Sequence, residues 1–227
     1  MSAQRADIVP FGERGWLATF TDSDDPVASG LAANYIADNI RGAAGVDDVT
    51  AGVNSIVLRF DPQRLNPDTA RMMLEKEIRD APDYVSPPAG DPVVIPVFYG
   101  GEAGPDLADI AAQAKLPVDA VIAAHSSKTY RVATLGFAPG FAYLGALDSR
   151  LRVKRLTTPR VRVPAGSVGV SGDFTCIYPL PSPGGWRLIG RTPTPLFDPS
   201  ADEPFLLTPG ETVQFRPMSA AEYEAQA

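Results

Sequence analysis

The chain has 227 residues, 44% hydrophobic and 21% charged, so it can bury one large core or two modest ones and is too apolar for a disordered protein. Its net charge of −7 would repel a phosphate backbone, which argues against nucleic acid as a partner. The lone Cys and lone His exclude an internal disulfide and a Cys/His zinc cluster, so we predict no metal site, although a carboxylate-only magnesium or calcium site stays open.

The hydropathy pattern predicts neither a membrane-spanning helix nor a secretory signal. No apolar run reaches the roughly 18 residues that a membrane helix needs, and the first ten residues lack the apolar segment of a secretory signal. We therefore expect a cytoplasmic protein without a membrane partner.

The first 88 residues have the pattern of a small α+β domain. Two strands are predicted in ADIVPFG and GWLATF, followed by a helix that begins at Asp25 and Pro26 and ends at Gly42. Two strands in VDDVTAGVNSIVLRF then precede an amphipathic helix that begins near Asn66 and Pro67. This order predicts helices on one face of a mostly antiparallel sheet, a sandwich-type arrangement.

A proline-rich segment predicts the boundary between two domains. Four prolines in DYVSPPAGDPVVIP prevent a helix from passing, so we place a linker near Ser86 to Asp91 and the domains at 1–88 and 89–227. Beyond it, a strand in VVIPVFYGG and two short helices in DLADIAAQA and VDAVIAAHSS are expected. From Tyr130 to Pro217, short apolar runs alternate with Gly and Pro turns, which predicts an all-β barrel or sandwich.

Four motifs in the second domain carry a family resemblance: GFAPGFAYLG, TPRVRVPAGSVGVSG, YPLPSPGGWRLIGRTP and FLLTPGETVQF. With them the chain strongly resembles the family that contains allophanate hydrolase subunit 1, the B subunit of bacterial 5-oxoprolinase and the KipI-type inhibitor of a histidine kinase. The N-terminal half agrees more loosely through FGERGWLATF and SIVLRFDP. The resemblance implies an α+β protein in which the small N-terminal domain precedes a cyclophilin-like β-barrel.

The resemblance also implies an activity and partners. The chain is expected to act with a second family subunit, the C subunit of the allophanate hydrolase subunit 2 type, and with a LamB/YcsF-type A subunit. The expected reaction is ATP-dependent hydrolysis of 5-oxoproline to glutamate. No Walker-type glycine loop occurs in this sequence, so ATP is expected at the level of the complex, and the isolated chain is expected to show no turnover.

The stretch GFAPGFAYLG suits a rigid surface that lies close to a ligand. Gly136 and Gly140 permit positive φ or close backbone approach, and the two phenylalanines, Phe137 and Phe141, are either core residues or contact surface. Tyr143 has a hydroxyl to place, so it is the better candidate for a site residue.

Two glycine-containing turns are further candidates. The backbone N–H groups of Gly166 and Ser167 could form a nest for a carboxylate or a carbonyl oxygen, whereas no nucleophile elbow is present and a serine triad is not expected. Gly184 and Gly185 would let a loop approach a ligand or a partner, and Trp186 beside them is equally interpretable as a core anchor.

Charged and titratable candidates complete the predicted site. His125 ends a predicted helix, where a hydrogen-bonded core histidine is the usual outcome, but the family pattern also has a histidine before its Tyr-x-Val strand. Arg160 and Arg191 lie beside proline-stiffened turns, where each could clamp a carboxylate or form a salt bridge. We predict His125 and Arg191 as catalytic residues and the following as substrate-binding residues: Tyr143, Arg160, Gly166, Ser167, Tyr178, Gly184 and Gly185.

Three functions stay open at this point. The chain is an enzyme subunit of 5-oxoprolinase, a KipI-type inhibitor of a sensor histidine kinase, or part of an allophanate or urea amide-hydrolysing or carboxyltransferase system. Prolyl isomerase activity is disfavoured, because proteins that share the barrel fold of cyclophilins do not necessarily share their function.

Overall fold

The computed structural model describes residues 5–21, 24–82 and 90–226. Internal contacts divide the chain into two compact units, Met1–Pro88 and Ala89–Ala227. The predicted linker near Ser86 to Asp91 lies mostly outside the described residues. Within the described ranges, no helix combines the length and the apolar character that crossing a membrane requires.

The first unit is a four-stranded antiparallel sheet with two helices. Its elements are β1 (Ala6–Pro10), β2 (Gly15–Phe20), α1 (Pro26–Ile40), β3 (Val46–Ala51), β4 (Ser55–Phe60) and α2 (Pro67–Asp80). The sheet order is β1-β2-β4-β3, and every neighbouring pair is antiparallel. The predicted element order of this unit is therefore confirmed.

Local sequence explains where the two helices begin. The Asp25 carboxylate accepts a hydrogen bond from the Val27 N–H at 2.9 Å, and the Asn66 side chain accepts one from the Asp68 N–H at 2.9 Å. Both helices also have a proline in the first turn. Backbone N–H groups there have no carbonyl partner within the helix, so the N–H that proline lacks costs no hydrogen bond.

The core of the first unit lies between the helices and one face of the sheet. Ile56, Leu58 and Phe60 alternate along β4 and are all buried. They form one hydrophobic cluster with Ile36 of α1 and Leu74 of α2. Because alternate strand residues share a face, both helices pack on the side of the sheet that these residues form.

The second unit is built on a closed seven-stranded barrel. Its elements are β5 (Val93–Tyr99), α3 (Leu107–Ala114), α4 (Val118–Ser126), β6 (Thr129–Leu135), β7 (Ala142–Gly145), a single 3₁₀ turn (Ser149–Leu151), β8 (Arg160–Val163), β9 (Ser167–Ser171), β10 (Phe174–Ile177), β11 (Ser182–Gly184), β12 (Arg187–Arg191), β13 (Thr212–Pro217) and α5 (Ala220–Glu224). The barrel order is β10-β7-β6-β13-β5-β12-β9, while β8 and β11 form a separate two-stranded sheet. Of the two predicted alternatives, the barrel is confirmed.

Two features of this unit were not predicted from the sequence. Strand β5 precedes both helices yet closes the barrel between β12 and β13, antiparallel to the first and parallel to the second. The terminal helix α5 begins with a capping box. The Ser219 hydroxyl accepts a hydrogen bond from the Glu222 N–H, and the Glu222 carboxylate accepts one from the Ser219 N–H. The Ser-x-x-Glu pattern was the available signal for that helix.

Candidate functional site

A cavity of about 90 Å³ opens in the second unit beside the β8–β11 sheet. Aromatic rings, glycines, one proline and one arginine line it: Phe137, Phe141, Tyr143, Arg155, Tyr178, Pro183, Gly184, Gly185 and Trp186. We call this cavity the aromatic pocket. It brings together four of the predicted substrate-binding residues, namely Tyr143, Tyr178, Gly184 and Gly185.

The walls of the aromatic pocket are rigid because their rings pack edge to face. The Phe141 ring centroid lies 5.1 Å from that of Tyr143, 5.2 Å from that of Tyr178 and 6.0 Å from that of Trp186. Phe141 and Trp186 are 1% and 5% exposed, so both are core residues as well as pocket walls. Burial raises the pKa of Tyr143 and of Tyr178, so both hydroxyls stay protonated at neutral pH.

Gly184 is required by close packing against the pocket wall. A Cβ atom at this position would lie 2.3 Å from the Tyr178 hydroxyl oxygen, well inside van der Waals contact. The next glycine, Gly185, accepts a hydrogen bond from the Leu156 N–H at 2.7 Å. The two glycines therefore join the pocket to the segment that carries Arg155.

Arg155 is the functional candidate that the sequence analysis missed. Its guanidinium carbon lies 5.5 Å from the centroid of the Trp186 ring, a cation–π arrangement, and it is the one charged residue that lines the pocket. Arg155 is exposed and forms no ion pair with the described part of the chain. The available signal was its place in the basic run RVKRLTTPRVR.

Phe137 is strained and exposed at the edge of the pocket. Its φ of 76° lies in the left-handed region, and its side chain is 64% exposed, in edge-to-face contact with Phe141 at 5.3 Å. Of the two glycines expected to need positive φ, Gly140 adopts it at 78° and Gly136 does not. Phe137 takes the strained conformation instead, which the sequence analysis did not anticipate.

A second and larger cavity, of about 340 Å³, contains Arg191. Gly166, Tyr178, Thr192 and Tyr223 also line it, and Arg191 is its one charged residue. The Arg191 Nε donates a hydrogen bond to the Ala165 carbonyl at 2.7 Å, which fixes the guanidinium in the cavity. We call this the arginine cavity. The predicted single pocket is thus two cavities that share Tyr178.

The predicted anion nest at Gly166 and Ser167 is wrong. The Gly166 N–H donates to the Tyr178 carbonyl at 2.7 Å, and the Ser167 N–H faces the Pro164 carbonyl at 3.3 Å, so neither donor is free for a ligand. Gly166 is needed because its φ is 78° and an added Cβ would lie 2.1 Å from the Thr192 carbonyl oxygen. A substrate-binding role for either residue stays a prediction, and Ser167 lies on neither cavity.

Arg160 is engaged in a partly buried ion pair. Its Nη2 lies 2.9 Å from the Asp106 Oδ1, and the Asp106 Oδ2 accepts a hydrogen bond from the Leu188 N–H at 2.7 Å. The salt-bridge alternative for Arg160 is therefore confirmed. Because its partner is 5% exposed, this arginine fastens β8 to the start of α3 and is not free to clamp a ligand.

His125 lies in the barrel core and not on either cavity. It is 0% exposed, its Nε2 is 2.9 Å from the Thr175 hydroxyl, and its Nδ1 is 2.8 Å from the Tyr99 hydroxyl. The Thr175 hydroxyl donates to the Gly169 carbonyl, so it accepts from the Nε2–H, and the Nδ1 accepts from Tyr99. The ring also stacks on Phe215 at 4.5 Å.

Burial sets the protonation state of His125. It lowers the pKa of His125 to about 3, so the imidazole is neutral at physiological pH and both nitrogens are satisfied in that form. This is the environment of a hydrogen-bonded core histidine, and the catalytic role of His125 stays a prediction. Among the described residues no cluster of three or more His, Cys, Asp or Glu side chains could hold a metal ion.

Curated relatives match about half of the chain at high identity. The chain is 54% identical over 125 residues to the 5-oxoprolinase B subunit of Escherichia coli O157:H7, covering 55% of this chain and 57% of the relative. It is 47% identical over 133 residues to the 5-oxoprolinase B subunit of Bacillus subtilis, covering 59% of this chain and 55% of the relative. These matches span little more than half the length of the relatives.

A solved structure has the same fold over most of the chain. The crystal structure of urea carboxylase from Kluyveromyces lactis superposes with a TM-score of 0.79, covering 98% of this chain and 22% of that protein. The identity is 21%, so this likeness concerns the fold alone.

A family model extends over both units. It is described as the carboxyltransferase domain, subdomain C and D, and it matches residues 6–207. These residues include every predicted site residue, and Arg155 as well. The chain belongs to this carboxyltransferase-domain family, which includes the B subunits of 5-oxoprolinase.

Proposed function

We propose that the chain is the B subunit of an ATP-dependent 5-oxoprolinase complex that converts 5-oxo-L-proline to L-glutamate. The proposed partners are the C subunit, of the allophanate hydrolase subunit 2 type, and the LamB/YcsF-type A subunit. High identity to two curated proteins that carry the name of the 5-oxoprolinase B subunit supports this proposal.

The observation that carries the proposal in this chain is the aromatic pocket with Arg155 at its edge. The substrate is a flat five-membered lactam with one carboxylate, and flat aromatic walls with one unpaired guanidinium suit such a molecule. In this proposal the aromatic lining of the pocket contacts the lactam, and Arg155 pairs with its carboxylate. The protonated hydroxyl of Tyr143 is available to donate a hydrogen bond to the lactam carbonyl.

ATP is proposed to bind elsewhere in the complex. The aromatic pocket has a single cation to meet the charge of several phosphates, and the sequence has no Walker-type glycine loop. This chain would therefore bind and orient the substrate, and the partner subunits would supply the nucleotide. Arg191, fixed in the neighbouring cavity, is the second candidate to meet a carboxylate.

The finer fold assignment is part of the same proposal. The closed seven-stranded barrel supports a cyclophilin-like second domain. The single sheet with both helices on one face supports a sandwich-type first domain.

The test is reconstitution of the complex. The chain is co-expressed with the two proposed partner subunits, and ATP-dependent release of glutamate from 5-oxoproline is measured. Turnover that needs all three chains is expected, with a strong loss on Arg155→Ala and no change on Lys115→Ala, an exposed cation on neither cavity. An assembled complex that leaves 5-oxoproline intact would contradict the proposal.

A carboxyltransferase role is the second candidate. The description of the matched family favours it. Transfer of a carboxyl group from carboxybiotin to a small amide, by a complex that does not hydrolyse 5-oxoproline, would support this alternative. The KipI-type inhibitor remains a prediction that no observation here favours.

A further inference from the structure

A basic segment stands out in an acidic chain. Residues 150–163, RLRVKRLTTPRVRV, contain six of the 20 Lys and Arg residues and none of the 27 Asp and Glu residues. The chain as a whole carries a net charge of −7. We call residues 150–163 the basic segment.

Half of these cations are neutralised within the chain. Arg150 pairs with Asp148 at 2.8 Å, Arg152 with Asp173 at 2.8 Å and Arg160 with Asp106 at 2.9 Å. The other three are Lys154, Arg155 and Arg162, and all three are exposed. They form no ion pair with any residue in the ranges 5–21, 24–82 and 90–226. Their charge is therefore available to something outside the chain.

The segment is held in place rather than loose. Leu151, Val153 and Val163 anchor it in the core, each 8% exposed or less. The Leu156 N–H donates to the Gly185 carbonyl at 2.7 Å, and β8 pairs with β11. Ordering these cations on a partner would therefore cost little additional backbone entropy.

The basic segment also borders the aromatic pocket. Arg155 lines the pocket directly, and β8 lies in register with β11, which supplies Pro183 and Gly184 to the pocket lining. A molecule seated on the segment would therefore lie at the edge of that pocket.

One apolar side chain in the segment points to a protein partner. Val161, between two arginines on β8, is 90% exposed. Exposed charges and prolines on an edge strand such as β8 prevent it from pairing with other chains. An almost fully exposed valine on the same strand has the opposite effect, because it favours contact with another apolar surface. A polar rim around an apolar contact is the usual composition of a protein interface.

We propose that the basic segment is the docking surface for an acidic face of another protein, centred on Val161. This inference rests on the proposed function for the identity of that protein, which we take to be the C subunit. Docking there would cover the edge of the aromatic pocket.

The experiment measures the affinity of the full chain for the purified C subunit at two salt concentrations, about 0.05 and 0.5 M. The test variant is Lys154→Glu with Arg162→Glu, since both side chains are exposed and form no ion pair within the described ranges. Val161→Asp tests the apolar centre. The matched control is Lys115→Glu, an exposed cation outside the segment. Thermal unfolding checks that each variant is folded.

We expect the double variant to bind at least about tenfold more weakly at low salt, with a smaller difference at high salt. Val161→Asp should weaken binding at both salt concentrations, and Lys115→Glu should bind as the wild type does. Equal affinity of the wild type and the folded double variant would overturn the proposal. The proposal would also be overturned if the wild type did not bind the C subunit. Binding of duplex DNA by these cations, without binding of the C subunit, is one such outcome.

The proposed function fails in a different way. If the complex forms and the double variant weakens it, but 5-oxoproline is not hydrolysed, the docking surface is supported and the 5-oxoprolinase proposal is contradicted.

Discussion

The barrel unit contains two clusters of rings and hydroxyls that look alike in sequence and differ in their surroundings. In the first, which we call the His125 network, both ring nitrogens of a fully buried histidine are matched by the hydroxyls of Tyr99 and Thr175. In the second, the aromatic pocket, Arg155 and two tyrosine side chains line an open cavity. Residue type alone therefore does not distinguish a structural cluster from a candidate binding site. The two clusters differ in that both polar atoms of the His125 ring have hydrogen-bond partners, whereas Arg155 forms no ion pair with any residue that the structure describes.

Among the substitutions, the largest expected effect is on the His125 network. His125→Ala removes a stacked ring and two buried hydrogen bonds, and leaves the hydroxyl of Thr175 without its donor. We expect a loss of about 3 kcal/mol in the free energy of unfolding, measured by urea denaturation. The control Tyr99→Phe keeps its ring and should lose about 1 kcal/mol. A His125→Ala protein of unchanged stability but without turnover in the complex would instead identify a catalytic histidine.

Acid should weaken the same network. The folded-state pKa of His125 is lowered from 6.5 to about 3, so below pH 6.5 the unfolded chain binds a proton that the folded chain does not. Stability that is fully present above pH 6.5 is therefore lost as the pH falls toward 3, by up to about 1.4 kcal/mol per pH unit. Urea denaturation across this range should show a steeper loss for the wild type than for His125→Gln, and parallel curves would contradict the account.

The aromatic pocket should respond in the opposite way to substitution. Arg155→Ala removes an exposed cation, so we expect little change in the melting temperature. Because a charged hydrogen bond to the substrate carboxylate is lost, the KM for 5-oxoproline in the complex should rise about tenfold or more. Arg155→Lys should recover part of the affinity, since it restores charge without two-point geometry. An unchanged KM for Arg155→Ala would remove this arginine from the site.

The smallest expected effect concerns Phe137. Glycine adopts φ of 76° without strain, so Phe137→Gly should leave stability unchanged or raise it by up to about 1 kcal/mol. Substrate affinity should nevertheless fall severalfold, because a ring at the pocket edge is lost. Phe137→Ala, which keeps the strain and loses the ring, is the matched control. A clear loss of stability in the glycine variant would show that Phe137 is a structural residue.

Local signals were sufficient to predict most of the secondary structure. Asp25 and Asn66 cap their helices with side-chain hydrogen bonds, and these short-range interactions are visible in the sequence as caps followed by proline. Short apolar runs between turns predicted a barrel or a sandwich, and the family resemblance implied the barrel. The place of β5 could not be predicted, because it pairs with β13, more than a hundred residues later in the chain.

The candidate site was predicted less completely, for a physical reason. Gly184 and Tyr178 could be proposed because glycine and tyrosine beside a turn have recognisable uses. Arg155 and Trp186 are thirty-one residues apart, and their contact depends on β8 pairing with β11. Likewise, Asp106 pairs with Arg160 although the two are 54 residues apart in the chain. The sequence alone could therefore not decide whether Arg160 binds a ligand carboxylate or forms a salt bridge.

The most direct test of the account is a crystal structure of the assembled complex with 5-oxoproline bound. We expect the lactam ring in the aromatic pocket beside Trp186, with its carboxylate on Arg155. We also expect an unchanged His125 network. Substrate bound in the arginine cavity, or in contact with His125, with the aromatic pocket unoccupied would contradict it.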